Sequence, residues 1–243
     1  MTKRPLLEMS VETLDAALAA VRGGADRVEL CEDLSVGGVT PNGQLLREAR
    51  EKIRVPIFAM IRPRAGDFCY SAPEFQQMKQ EIALAKSAGM DGFVLGILTS
   101  EFTVDIPRTA ELINLAAPLP VTFHRAFDEL HDLSQGLEDV IATGATRVLT
   151  SGGQRNAEEG SAELVTLLGQ ARDRITVLPG GGIRPANLRR IAQATRAAEF
   201  HSGLSNLLPK AGIAHREFEE GVRALIKVLE EEARDLQPAS SAD

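Results

Sequence analysis

The sequence predicts an α/β fold: a single (βα)8 TIM-type barrel with eight parallel strands. Short β-rich apolar runs alternate eight times with amphipathic helical stretches. The length of 243 residues is what one such barrel takes. The competing open, doubly wound sheet would carry a Gly-x-Gly-x-x-Gly after its first strand, and the sequence has none there.

Strand runs fall at residues 6–9, 27–31, 56–61, 92–95, 119–123, 147–150, 176–178 and 198–201. The first helical stretch, 11–22, places Leu14, Leu18 and Val21 on one face and is stopped by Gly23 and Gly24. Further helices are expected over 44–52, 73–88, 106–116, 133–143, 157–172, 185–194 and 217–234, with Gly89 and Gly144 closing two of them. No linker or shift of composition marks a second domain. The barrel is therefore expected over residues 1–235, with 236–243 as a disordered C-terminal tail. Long stretches follow strands two, three and four (32–41, 62–72 and 96–105), at the barrel face where active sites are built.

Composition narrows the partners. The formal net charge of −7 leaves no basic excess for a nucleic-acid backbone, and one Tyr with no Trp offers little for base stacking. No apolar run is long enough to span a membrane. Two cysteines do not make a disulfide framework, and Glu8, Glu12 and Asp15 interrupt what a signal peptide would keep apolar, so a cytoplasmic location is expected. Assembly into a homo-oligomer stays open.

Strand parity points polar groups into the barrel. The helix-facing side must be apolar, which assigns Leu7, Met9, Val28, Leu30, Val121, Phe123 and Phe200 outward. Glu8, Glu29, Cys31, Thr122, His124 and His201 then face inward, with Arg62 at the end of strand three as a further candidate. Buried charges persist only when paired or holding a ligand. An ion-pair network of Glu8 and Glu29 with Arg62 accounts for them as filling. A functional site accounts for them as catalytic groups: Glu8, Glu29 and His124 for proton transfer, and Arg62 beside them. Asp128, just after strand five, reads as the cap of the next helix.

Glycine-bearing turns follow the last three strands. With Arg64, Arg125, Ser151 and His201, the residues Gly152, Gly181, Gly182, Ser202 and Gly203 form the expected anion-binding set, since barrels of this class commonly hold phosphate after strands seven and eight. No lysine ends a strand, which disfavours Schiff-base chemistry.

Several stretches resemble the CutC family. They are Gly23-Gly-Ala-Asp-Arg-Val-Glu-Leu-Cys31, Gly37-Gly-Val-Thr-Pro41, Ile61-Arg-Pro-Arg-Ala-Gly-Asp-Phe-Cys-Tyr-Ser71, Pro120-Val-Thr-Phe-His-Arg-Ala-Phe-Asp128, Arg147-Val-Leu-Thr-Ser-Gly152 and Pro179-Gly-Gly-Gly-Ile183. The resemblance implies a cytoplasmic barrel associated with copper binding and copper homeostasis. Copper would then be the cofactor or cargo, with Cys31 matching the family's strand-two cysteine. Some members carry a second cysteine where this chain has Ser10; Cys69 is the other thiol available here. Three readings follow: a copper-handling protein, an enzyme using acid/base chemistry on a small phosphorylated substrate, and a scaffold acting through its surface. The first is the family-level expectation and the second its alternative.

Overall fold

Eight strands, each with one side chain in two turned outward to apolar neighbours, build the barrel in the computed structural model, which describes residues 4–204, 207 and 215–235. They are β1 (Leu6–Val11), β2 (Arg27–Leu30), β3 (Ile57–Met60), β4 (Gly92–Leu95), β5 (Val121–Phe123), β6 (Arg147–Thr150), β7 (Thr176–Pro179) and β8 (Glu199–Ser202). All pairings are parallel and run β7-β6-β5-β4-β3-β2-β1-β8, with β7 and β8 in contact, so the sheet nearly closes on itself. The helices between them are α1 (Leu14–Gly23), α2 (Gly43–Lys52), α3 (Ala72–Ser87), α4 (Ile106–Ala116), α5 (Leu133–Ala142), α6 (Ser161–Ala171), α7 (Pro185–Thr195) and α8 (Arg216–Asp235). None of the described helices is long and apolar enough to cross a membrane. The expected tail at 236–243 lies outside the described residues.

Local chemistry sets the helix starts. Thr13, Asn42, Ser71, Asp105 and Asp132 each accept a backbone N–H of the first turn of α1, α2, α3, α4 and α5 respectively. The Thr13 cap moves the start of α1 to Leu14 and leaves Val11 to lengthen β1. The start of α6 also shifts, to Ser161, because the Ala157 N–H is bound to the Gly181 carbonyl at 2.9 Å and is held by the β7 turn. Gly24, at φ 99°, ends α1 in the left-handed conformation. Gly23 serves packing instead: a Cβ there would stand 2.6 Å from Val222 Cβ, so its absence lets α8 close on α1. The expectation that Asp128 caps α5 is not met, because Asp132 occupies that position.

The core divides at the sheet. Outward side chains such as Leu7, Val28, Ile57, Phe93, Phe123 and Phe200 join the helices in one large apolar layer. Inside the barrel the buried apolar cluster is small, comprising Cys31, Phe58, Met60 and Val94. Charged side chains share the floor with them. Arg27, 2% exposed, donates Nε to Glu8, which is fully buried, and its terminal nitrogen reaches Glu199 Oε2 at 2.6 Å. Arg147 joins the same Glu199 oxygen at 3.2 Å. Both guanidiniums stack on Phe58, 4.9 and 5.0 Å from its ring centre.

Removing one member of such a buried pair strands the other without water. Arg27→Met is expected to destabilise the fold by about 3–5 kcal/mol in urea unfolding, with part of the loss recovered when Glu8→Leu is added. A loss below about 1 kcal/mol would show that the pair is not the element holding the floor together.

Candidate functional site

Above the charged floor, at the carboxyl ends of the strands, lies a cavity of about 430 Å³. Its walls include the inward side chains of Ser10, Glu29, Met60, Arg62, His124 and His201, and its roof includes Phe68, Arg125 and Glu129 from the loops. Five expected lumen residues, Glu8, Glu29, Arg62, His124 and His201, are therefore all buried, as strand parity requires. They do not form one network.

Glu8 belongs to the floor. One of its oxygens accepts from Arg27 and the other meets His201 Nδ1 at 2.7 Å. Burial alone would raise its pKa, but the Arg27 charge and then His201 reverse this and hold it at about 2. The partner of Glu8 is thus Arg27, not Arg62 as the expected filling network had it. Arg27 sits two residues before Glu29 and is inward by the same parity, so carrying the alternation back to the strand start identifies it. Arg147 and Glu199 follow from the same rule.

Glu29 has no such partner. Its Oε2 is buried and makes no hydrogen bond among the described residues. Burial pushes its pKa up to about 7; His201 draws it down in part, Glu8 opposes that, and Arg27 adds a weaker downward pull. His201 moves the other way. Burial would lower its pKa, but the Glu29 charge and the bond to Glu8 raise it.

His124 is held neutral. Burial, then the Arg62 charge, drive its pKa down to about 3. Its ring is wedged beside Phe68, with centres 4.8 Å apart, and its Nε2 is buried without a partner. Arg62 organises the roof: its guanidinium donates to the carbonyls of Val36 and Gly38 after β2 and of Gly66 after β3, at 2.8–2.9 Å. No carboxylate among the described residues forms a salt bridge with it, and its Nε is unpaired and buried.

The expected anion set is dispersed. Arg64 does not line the cavity; it is bound to Asp67 and Glu74 and to loop carbonyls, which rigidifies the stretch after β3. Arg125 does line the cavity, pairs with Asp128 at 2.7 Å and donates to Ser151 Oγ at 2.9 Å. Asp128 is a hub that accepts from the Ser151 and Gly153 N–H groups and from the Thr150 and Ser151 hydroxyls. The Gly152 N–H is taken by Thr150 Oγ1 at 2.8 Å. The turn after β6 therefore has its donors engaged within the chain. Ser202 Oγ is tied to the Ile183 carbonyl, Gly181 and Gly182 take positive φ, and a Cβ at Gly203 would stand 2.9 Å from Ser10 Oγ. None of these glycines lines the cavity.

The two thiols do not converge through their contacts. Cys31 Sγ donates to the Val11 carbonyl at the end of β1, and Cys69 Sγ to the Thr99 carbonyl after β4, with β2 and β3 between. Burial first, and then neighbouring carboxylates, raise the pKa of both. Glu8, Glu29 and His201 bring oxygen and nitrogen atoms within 4.8 Å of one another, but Glu8 is already engaged by Arg27 and His201.

Comparisons with known proteins agree along most of the chain. The model of the CutC family matches residues 5–206. A family protein CutC of Chromobacterium violaceum is 48% identical over 197 residues, 81% of this chain and 80% of that protein. The human copper homeostasis protein cutC homolog is 47% identical over 196 residues, 81% of this chain and 72% of its own length. A crystal structure of CutC from Streptococcus agalactiae superposes with a TM-score of 0.78 at 32% identity, covering 82% of this chain and 98% of that one.

The Glu29 environment predicts a specific pH signature. Its carboxyl titrates near 4.5 in the unfolded chain and at about 7 when folded. Between those values the folded state holds more protons, so stability is lost as pH rises toward 7. Glu29→Gln removes this dependence. From pH 5 to pH 8, urea unfolding should shift in favour of the variant by roughly 1–3 kcal/mol relative to the parent. His201, Glu8 and Arg27 face the same carboxyl and share the coupling. Parallel pH profiles for variant and parent would exclude a buried Glu29 carboxylate.

Proposed function

The chain belongs to the CutC family, and from that membership we propose that it serves copper homeostasis, working through small-molecule chemistry in the cavity. The human and mouse relatives are named for that process. A resident cuprous ion does not fit the soft donors present. Such an ion favours thiolates, whereas both thiols here are pushed toward the protonated form and bonded to separate carbonyls.

The observation that supports the cavity reading is the unpaired Glu29 carboxyl, buried beside a cavity that also exposes a guanidinium without a carboxylate partner. Unmatched buried charges of this kind are a hallmark of ligand sites. The ligand this favours is a small, oxygen-rich anion. Its negative group would lie against Arg62, and its hydroxyl or carbonyl oxygens would meet Glu29 and His124.

Two measurements test this. In thermal denaturation at matched ionic strength, glycolate or inorganic phosphate should protect the parent, reaching about 2.7 kcal/mol at a hundredfold excess over Kd. Arg62→Gln should abolish the protection; lack of protection by either anion refutes an anion-binding cavity. In a titration of the reduced protein with Cu(I) against a chelator, the Cys31→Ser, Cys69→Ser double variant should match the parent. A parent that binds at least about tenfold tighter than the double variant would restore the thiolate site.

A further inference from the structure

The state of His124 is fixed by its backbone neighbour. Its Nδ1 accepts the Ala126 N–H at 3.2 Å, so in the neutral ring the proton resides on Nε2. That Nε2 is buried, has no partner among the described residues, and belongs to a side chain lining the cavity. The ring cannot easily turn away. Phe68 lies 4.8 Å from it and Phe123 6.1 Å, and it lies so close over β4 that a Cβ at Gly96 would come within 2.6 Å of Nδ1. Three groups of the cavity wall are thus left without a side-chain partner among the described residues: a buried N–H donor of fixed direction at His124, the carboxyl of Glu29 and the cation of Arg62.

Building on the cavity reading, we propose that the chain catalyses reversible proton transfer at the carbon beside the carbonyl of a small anionic α-hydroxycarbonyl compound, with Glu29 as the base and His124 Nε2–H as the donor to the carbonyl oxygen. The Glu29 carboxylate takes the proton from the hydroxyl-bearing carbon. The C–H electron pair becomes the new C=C bond, and the carbonyl π pair moves to its oxygen. His124 holds that enediolate oxygen by hydrogen bonding. The hydroxyl proton then passes to this oxygen, and Glu29 returns its proton to the neighbouring carbon, so aldehyde and ketone exchange places with no atom gained or lost. Return to the original carbon after exchange with solvent gives hydrogen replacement without isomerisation. A neutral imidazole suits this role because it stabilises the oxyanion without starting as a full acid. Arg62 anchors the anionic group. Glu29 must be ionised to act, and its position near neutrality puts it within reach as a base.

The test is hydrogen exchange of the full chain in D2O, followed by proton NMR, with dihydroxyacetone phosphate and hydroxypyruvate as probes. The parent should exchange the carbon-bound hydrogens faster than buffer, at a rate that climbs with pH and levels off above about 7. Glu29→Gln should lose at least about a hundredfold and His124→Phe about tenfold or more. His124→Gln, a smaller change that keeps an N–H donor, guards against misfolding of the Phe variant and should fall less. Glu29→Gln should unfold in urea at pH 5, where the parent carboxyl is protonated, much as the parent does, so that its loss of exchange is not a loss of fold. Exchange at the buffer rate with both probes, in a protein that glycolate or phosphate protects, overturns the activity while leaving the cavity reading intact. Equal exchange by parent and Glu29→Gln overturns it as well. Loss of protection by both anions in the parent removes the cavity reading and this inference together.

Discussion

Glu8 accepts from Arg27 of β2 and meets His201 of β8, so one fully buried carboxylate ties together the two strands that flank its own. The rest of the site follows from how this one group is satisfied. Arg27 and His201 are drawn to Glu8, which is stabilised as an anion deep in the barrel. Glu29, one pleat higher, is left with burial as the dominant influence and rises toward neutrality. Two carboxylates on neighbouring strands thereby acquire opposite characters from a single allocation of partners. A permanently charged floor and a titratable wall are what the geometry offers to chemistry.

The roof is built on a different principle. The loops after β2 and β3 have little regular structure, and their carbonyls are collected by arginines. Arg62 gathers Val36, Gly38 and Gly66, while Arg64 gathers Ala65, Asp67 and Cys69. Asp128 performs the complementary task after β6 by collecting N–H groups and hydroxyls. A guanidinium with several donors can fix a loop that has no hydrogen-bond ladder of its own. Arg62 does this and still faces the cavity, so the group that shapes the entrance also sets a positive charge against it.

The family's association with copper and the chemistry of this cavity operate at different levels. A process name describes what a cell loses without the protein; donor atoms decide what the protein holds. Here the hydrogen-bonding donors and acceptors at the site are oxygen and nitrogen, and both thiols are pushed toward the protonated form and bonded to separate backbone carbonyls.

The order of elements and the inward set were legible in the chain because both rest on local rules. Apolar alternation gave all eight strands within a few residues, and the same parity turned Glu8, Glu29, His124 and His201 inward. Parity also held the signal for Arg27, which lies two positions from Glu29 on one strand. What local rules do not contain is the partnering across strands. Whether Glu8 meets Arg27 or Arg62, whether Arg64 faces an anion or Glu74, and whether Asp128 caps a helix or gathers the β6 turn all depend on the register between β1, β2 and β8 and on how the loops fold back. The sequence by itself determined the barrel and which side chains enter it, because a strand's period is a property of the backbone. Only the tertiary structure decided which buried charges neutralise one another, because Coulomb energy and desolvation depend on distances between residues as far apart in the chain as Glu8 and His201.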